Sequence, residues 1–273
     1  MGNVIAMAVG LGALLAVAVG CLTIAGVRLR RAVIVAAVRA GAQLTLVGLA
    51  LRGVLAAPAT TVAVLVVMLT VATLTAAGRL TGFPNARRSV LAASTAGAAV
   101  TLGIIFGVPL LDRSARYLVA AGGIVIGGTM TASTLAGRRL FEAMVRRRDE
   151  VEAWLALGAT PRQAVADLAR TAIQEALLPA VDQTRTVGLV TLPGAFVGAL
   201  LGGASPTDAA RFQLVVLVAL LTAETLAAVT LVWLFGAPTH IPDADVPNAH
   251  GSRAGGPRTR GPKTRGPRAR RRM

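Results

Sequence analysis

The sequence predicts an all-α, polytopic transmembrane helix bundle of about seven spans, with its N-terminus outside and its C-terminus cytoplasmic. Three observations predict it. The chain is 55% hydrophobic with mean hydropathy +0.69, well above a soluble domain. Its apolar runs reach the roughly 20 residues a helix needs to cross a hydrocarbon core about 30 Å thick. Lysine and arginine concentrate in alternate loops, as the positive-inside rule requires.

The first run, 4–26, has no charged side chain before it, and Arg28, Arg30 and Arg31 follow it. That order suits a first span inserted N-terminus outside rather than a cleaved leader. Cys21 lies in this run as the single cysteine, so neither an intramolecular disulfide nor a cysteine-based metal site forms within one chain. The second run, 33–51, carries Arg39 and Gln43 four residues apart on one helix face. It is expected to begin as an amphipathic helix on the membrane surface before entering. The third and fourth runs cover 57–77 and 89–108.

The fifth run, 117–136, is dense in small residues: Gly122, Gly123, Gly127, Gly128, Thr129, Thr131, Ser133 and Thr134. In lipid, small residues let helix backbones approach closely, so this span is placed at the bundle centre. The sixth run, 187–203, is short and interrupted by Pro193-Gly194. It reads either as a proline kink packed against neighbours or as a discontinuous helix lining a cavity. Its Gly198-x-x-x-Gly202 spacing again favours close packing. The seventh run, 212–235, contains Glu224 near its middle.

With the N-terminus outside, the inner loops 27–32, 78–88 and 137–186 and the tail carry 3, 3, 8 and 9 Lys/Arg. The outer loops carry four: Arg52, Arg113, Arg116 and Arg211. Residues 1–236 form the membrane domain, with a cytoplasmic segment at about 137–186, and 237–273 form a disordered basic tail. The tail repeats a Gly-Pro-basic-x-Arg unit three times from Gly256 and has too little apolar content to form a core. It serves as an orientation anchor or binds anionic lipid headgroups. Nine basic residues of a net +16 chain lie there, so the high charge does not call for nucleic acid.

The stretch Leu155–Ala164 interrupts this hydrophobic protein. Arg146, Arg147 and Arg148, then Asp149, Glu150 and Glu152, precede it, and Thr160-Pro161 followed by Arg162-Gln163-Ala164 reads as a capped helix start. A capped helix at a membrane face is expected to meet a partner. The chain itself has no phosphate loop, and its one lysine is Lys263 in the tail, so it lacks a standard ATP site. Its two histidines, His240 and His250, are also in the tail, and neither a His-Glu-x-x-His nor a Gly-x-Ser-x-Gly motif occurs. No catalytic set is expected.

Glu224 is costly at membrane depth and is therefore a candidate functional group. Arg39 is its partner candidate by charge, and the pair reads as structural or as proton- or cation-handling. Glu175, Asp182 and Arg185 are expected on the inner side, just before the sixth run and solvated, with Asp182 and Arg185 three apart and able to pair.

The run from Ala172-Ile173 through Ala176-Leu177-Leu178-Pro179, Asp182, Thr184-Arg185-Thr186-Val187-Gly188-Leu189-Val190-Thr191-Leu192 to Pro193-Gly194 is similar to the signature of the Fet-type ABC transporter permeases. These are the bacterial iron-export permeases and the plant aluminium-sensitivity proteins. Leu157–Ala164 resembles the same family's cytoplasmic segment. Arg39, Gln43, Gly127, Met130, Ser133, Pro206, Ala209 and Gln213 match too. The likeness covers nearly all of 1–236. Gly127-Gly128 and Ala195 depart from it, where the family often has Gly-Asn and Met; these are losses of a polar and a soft ligand.

The resemblance implies a permease in the inner (plasma) membrane, a homodimer, paired with a separate ABC ATPase that supplies ATP and Mg; no cofactor is expected in this chain. It implies ATPase coupling through Glu152, Leu157, Gly158, Ala159, Thr160, Pro161 and Arg162. The substrate pathway is expected along Arg39, Gln43, Thr129, Met130, Ser133, Pro193, Gly194 and Glu224, with metal ligands unassigned. The implied cargo is iron, another metal ion or a small solute. Two other readings stay open: an ion-coupled secondary transporter built on Glu224 and Arg39, and a non-transporting membrane scaffold.

Overall fold

The computed structural model describes residues 2–54 and 58–237. The basic tail expected at 237–273 lies, but for its first residue, outside the described residues. Ten helices follow in order: α1 (Gly2–Ile24), α2 (Arg30–Val54), α3 (Pro58–Ala77), α4 (Ala86–Gly107), α5 (Ala115–Arg146), α6 (Arg148–Ala156), α7 (Pro161–Ala164), α8 (Ala166–Thr186), α9 (Gly194–Leu201) and α10 (Pro206–Phe235). Among the described residues, α1–α5 and α10 are long and apolar enough to cross a membrane, six in all. Gly26, at φ 68°, ends α1 in the left-handed conformation that a glycine adopts without steric penalty. Ser114 and Ser205 cap α5 and α10 through their hydroxyls.

The second run is one continuous helix, α2. One expectation changes. The expected sixth span, 187–203, is not a span. Its first residues form a tight turn in which Gly188 N–H donates to the Thr191 carbonyl at 2.9 Å, and only α9, eight residues long, follows. Gly188 at φ 84° reverses the chain there, and Pro193 fixes the start of α9. The stretch is apolar enough for a span but locally coded as a turn.

The core lies where α4 and α5 pack on each other and on both α3 and α10, with α8 against α5 and α10. The α4–α10 approach is the tightest. A Cβ on Gly97 would lie 2.6 Å from the Ala223 carbonyl oxygen, so two backbones meet there without an intervening side chain. At one end Phe83 stacks on Phe235 with centroids 4.0 Å apart and meets Phe141 edge-on. These rings tie the α3–α4 turn to α5 and α10. By contrast α1 and α2 contribute no buried residue across their apolar windows; α1 packs only on α2, and α2 only on α1 and α3.

Candidate functional site

The polar segment after α5 forms a helical hairpin, α6–α7, fastened to the end of the bundle. Val151, Ala164 and Val165 are buried in the same cluster as Met144, Val232 and Phe235, so the hairpin is anchored rather than trailing. Gly158 at φ 89° closes α6; its N–H and that of Ala159 return to the carbonyls of Leu155 and Trp154, a glycine-dependent C-cap. The expected helix start at Thr160 is present as a reciprocal cap. Thr160 N–H donates to Gln163 Oε1 at 2.8 Å, and Gln163 N–H donates to Thr160 Oγ1 at 3.4 Å. The helix it starts, α7, is only four residues long.

This hairpin turns an apolar tip outward. Leu157 is 81% exposed, with Trp154 and Leu155 exposed beside it, in a setting of charged residues. Glu152 pairs with Arg148 at 2.7 Å, and Arg147 grips Glu150 through two nitrogens. The Arg162 guanidinium lies 4.1 Å from the centroid of Trp233, fixing α7 to α10 by a cation–π contact. Glu152, Leu157, Gly158, Ala159, Thr160, Pro161 and Arg162 therefore sit together on one small, rigid, outward element.

A second constellation lies inside the bundle. Thr73, Ser94, Thr101, Ser133 and the Gln213 carbonyl each hold a buried oxygen with no hydrogen-bond partner. They come from α3, α4, α5 and α10. Thr129, fully buried, donates to the Ile126 carbonyl and lies against the Gly97 approach. Glu224 is buried too, at 8% exposure, with a carboxylate oxygen 3.0 Å from where a Cβ on Gly128 would be. Buried oxygens without partners are expensive in a water-free interior. Hydroxyls and an amide spread through this interior, with one carboxylate among its residues, can accept a hard cation, water or a polar solute. Among the described residues no group of three His, Cys, Asp or Glu could hold a metal ion, and Met130 is half-buried packing between the two apolar clusters.

The structure thus brings Thr129, Ser133 and Glu224 into one interior and leaves the other expected pathway residues outside it. Arg39 and Gln43 are exposed on α2, which does not touch α10, so Arg39 is not the partner of Glu224 within one chain. Pro193 and Gly194 begin α9, half-buried and exposed. Ser94, Gly97 and Thr101 were not anticipated, although their spacing of three and four residues marks one face of α4.

Asp182 and Arg185 are exposed and paired, as their spacing predicts. Leu168, Ala172, Ala176 and Ala180 bury one face of α8 against α5 and α10, so α8 runs beside the spans instead of below them. Glu175 reaches Arg139 of α5 at 3.1 Å. Asp182 is seven residues further, about 10 Å along the helix. Counted along antiparallel helices, that is the level of Ala132, inside the apolar stretch of α5. The alanine face, small enough to pack closely, is what carries these charges to that depth.

Comparison with known proteins agrees with this architecture. Residues 5–238 match UPF0014, described as an uncharacterised protein family. The UPF0014 membrane protein STAR2 of Oryza sativa subsp. japonica is 37% identical over 59% of this chain and 57% of its own length. The UPF0014 membrane protein YjkA of Bacillus subtilis is 32% identical over 72% of this chain and 80% of its own. The probable iron export permease protein FetB of Escherichia coli is 34% identical over 50% of this chain and 53% of its own. The chain thus spans little more than half the length of the rice and Escherichia relatives. No solved structure matches it.

Proposed function

The chain belongs to the UPF0014 family of multi-pass membrane proteins, and we propose that it is the membrane-spanning permease subunit of an ATP-driven ABC exporter. Its cargo is iron, another metal ion or a small solute. Two copies form the permease, and a separate ABC ATPase binds ATP and Mg. The observation that carries this reading is the anchored α6–α7 hairpin with Leu157 turned outward. A membrane protein without a nucleotide site needs such a rigid knob to receive force from one. The name of the Escherichia coli relative, an iron export permease, supports export and iron.

In this reading α6–α7 faces the cytoplasm and docks on the ATPase through Leu157, Gly158 and Ala159, with Glu152, Thr160, Pro161 and Arg162 shaping the hairpin. Thr129, Ser133 and Glu224 line the polar interior, and Pro193-Gly194 marks the flexible break beside it. The tail meets anionic lipid. An ion-coupled transporter built on a Glu224–Arg39 pair is less favoured, because those residues lie on helices that do not touch. The test is reconstitution of the permease with a co-purifying phosphate-loop ATPase. ATP hydrolysis stimulated by a metal ion, with export into proteoliposomes, is expected. Transport that persists without ATP and collapses with the proton gradient would refute it.

A further inference from the structure

Among the described residues, three exposed ionised groups lie, by residue count, within the length of the apolar stretches. Asp182 and Arg185 pair with one another at 3.6 Å yet remain 64% and 73% exposed, on the face of α8 opposite its buried alanines. Arg39 is exposed on α2 and makes no ion pair among the described residues. Helices α2 to α5 alternate in direction, so Arg30 and Arg31 share a membrane side with Arg138 and Arg139. Arg39 lies eight residues beyond Arg31, about 12 Å into the membrane. Asp182 lies about 10 Å beyond the Arg139–Glu175 bridge. Opposite charges therefore stand at one depth on two faces that a single copy leaves uncovered. Lipid tails cannot solvate any of them.

The helix between those faces shows how they meet. On α5, Ala120 and Thr131 are exposed, and the position a Cβ would take on Gly127 is open space. This line of small residues is flanked on one side by α3, whose Leu65 and Met68 fill the space beside Gly122 and Gly123. On the other side is α8, held at Arg139 by Glu175. Because α2 packs on α3, Arg39 belongs to the first flank and Asp182 to the second. A two-fold axis along the membrane normal through this line sets α5 beside its copy. The same rotation places the α2 flank of each copy against the α8 flank of the other.

We propose that Arg39 of one copy pairs with Asp182 of the other, twice across the two-fold axis, sealing these charges at a permease–permease interface. The inference rests on the homodimer proposed above and assigns its contact. It gives Arg39 a partner that none of the described residues of its own chain supplies. It also makes the broken α8–α9 segment part of the boundary between copies, where a polar path can open and close.

Cysteine cross-linking in native membranes tests this, with Cys21→Ser as background. One tagged chain carries Arg39→Cys and a differently tagged chain carries Asp182→Cys. Oxidation is expected to link the two tags in one disulfide-bonded dimer, and neither variant alone is expected to link to itself. Absence of the mixed product while native mass spectrometry shows a dimer overturns the pairing and leaves the dimer standing. A monomeric mass overturns the dimer and the pairing together. Charge exchange is the second arm. Arg39→Asp and Asp182→Arg singly are expected to lower the dimer fraction at least tenfold, and the double exchange to restore it to within twofold. Failure of the double exchange to restore it overturns the proposal.

Discussion

Glu224 on α10 lies against Gly128 on α5, its carboxylate oxygen 3.0 Å from where a side chain on that glycine would begin. The absence of a side chain at Gly128 is what gives the carboxylate its room, with Leu220 pressed against the same site. Gly128→Val is expected to destabilise the protein by about 1–3 kcal/mol through overpacking. Gly103→Ala, facing open space on α4, is expected to be neutral or to raise stability by up to about 1 kcal/mol. Thermal unfolding in detergent separates the two.

Glu224→Gln keeps the shape and removes the ionisable group. Folding and dimer mass are expected to be unchanged and export to fall at least about tenfold, a rise of about 1.4 kcal/mol in the transport barrier. Flux in proteoliposomes reads this directly. Full export by the variant would remove Glu224 from the pathway and leave it as a packing group.

The α4–α10 contact gives a sharper stability test. At Gly97 a methyl group would meet the Ala223 backbone oxygen at 2.6 Å, and no rotamer change relieves a clash with backbone. Gly97→Ala is expected to cost about 2–3 kcal/mol and to lower the midpoint of thermal unfolding by several degrees.

Leu157→Asp puts a charge on the outward tip without touching the buried anchors Val151 and Val165. The permease is expected to keep its melting midpoint and to lose binding of the ATPase by at least about 2 kcal/mol, the scale of an interface hot spot. Co-purification from membranes with the ATPase tagged measures it.

Thr160→Ala removes one half of the reciprocal cap on α7 and leaves the other. A local loss of about 1 kcal/mol is expected, seen as faster amide exchange at Gln163 and Ala164, with α5 and α10 unaffected.

Six of the spans were legible because apolar length is a direct signal of membrane crossing, and Glu224 was legible because a charge in such a run is rare. Helix α8 was not. Its alanines at 172, 176 and 180 are interleaved with Gln174 and Glu175 and followed by Asp182 and Arg185, so its composition reads as solvated. Packing against α5 needs small residues rather than strongly apolar ones, and hydropathy does not register that. The run 187–203 misled in the opposite sense: Leu189, Val190 and Leu192 are apolar but 91%, 78% and 63% exposed around a glycine turn. The Thr160 cap could be read from four residues because capping is local. Arg39 was assigned to Glu224 by charge alone, and only the packing order of α2, α3 and α5 shows that they are apart.

Helix α5 runs unbroken for 32 residues, about 48 Å, against a hydrocarbon core of about 30 Å. By length it extends about 18 Å beyond that core, on the side where α6 leaves it. Swinging such a rod by roughly 10° about its midpoint carries each end about 4 Å, most of the width of a water molecule plus its neighbour's hydrogen-bond distance. Its companion α8 stops at Thr186, so it cannot carry that stroke to the far surface and must yield at the 187–193 turn. A stiff rod beside a jointed one converts a push at one surface into unequal displacement at the other.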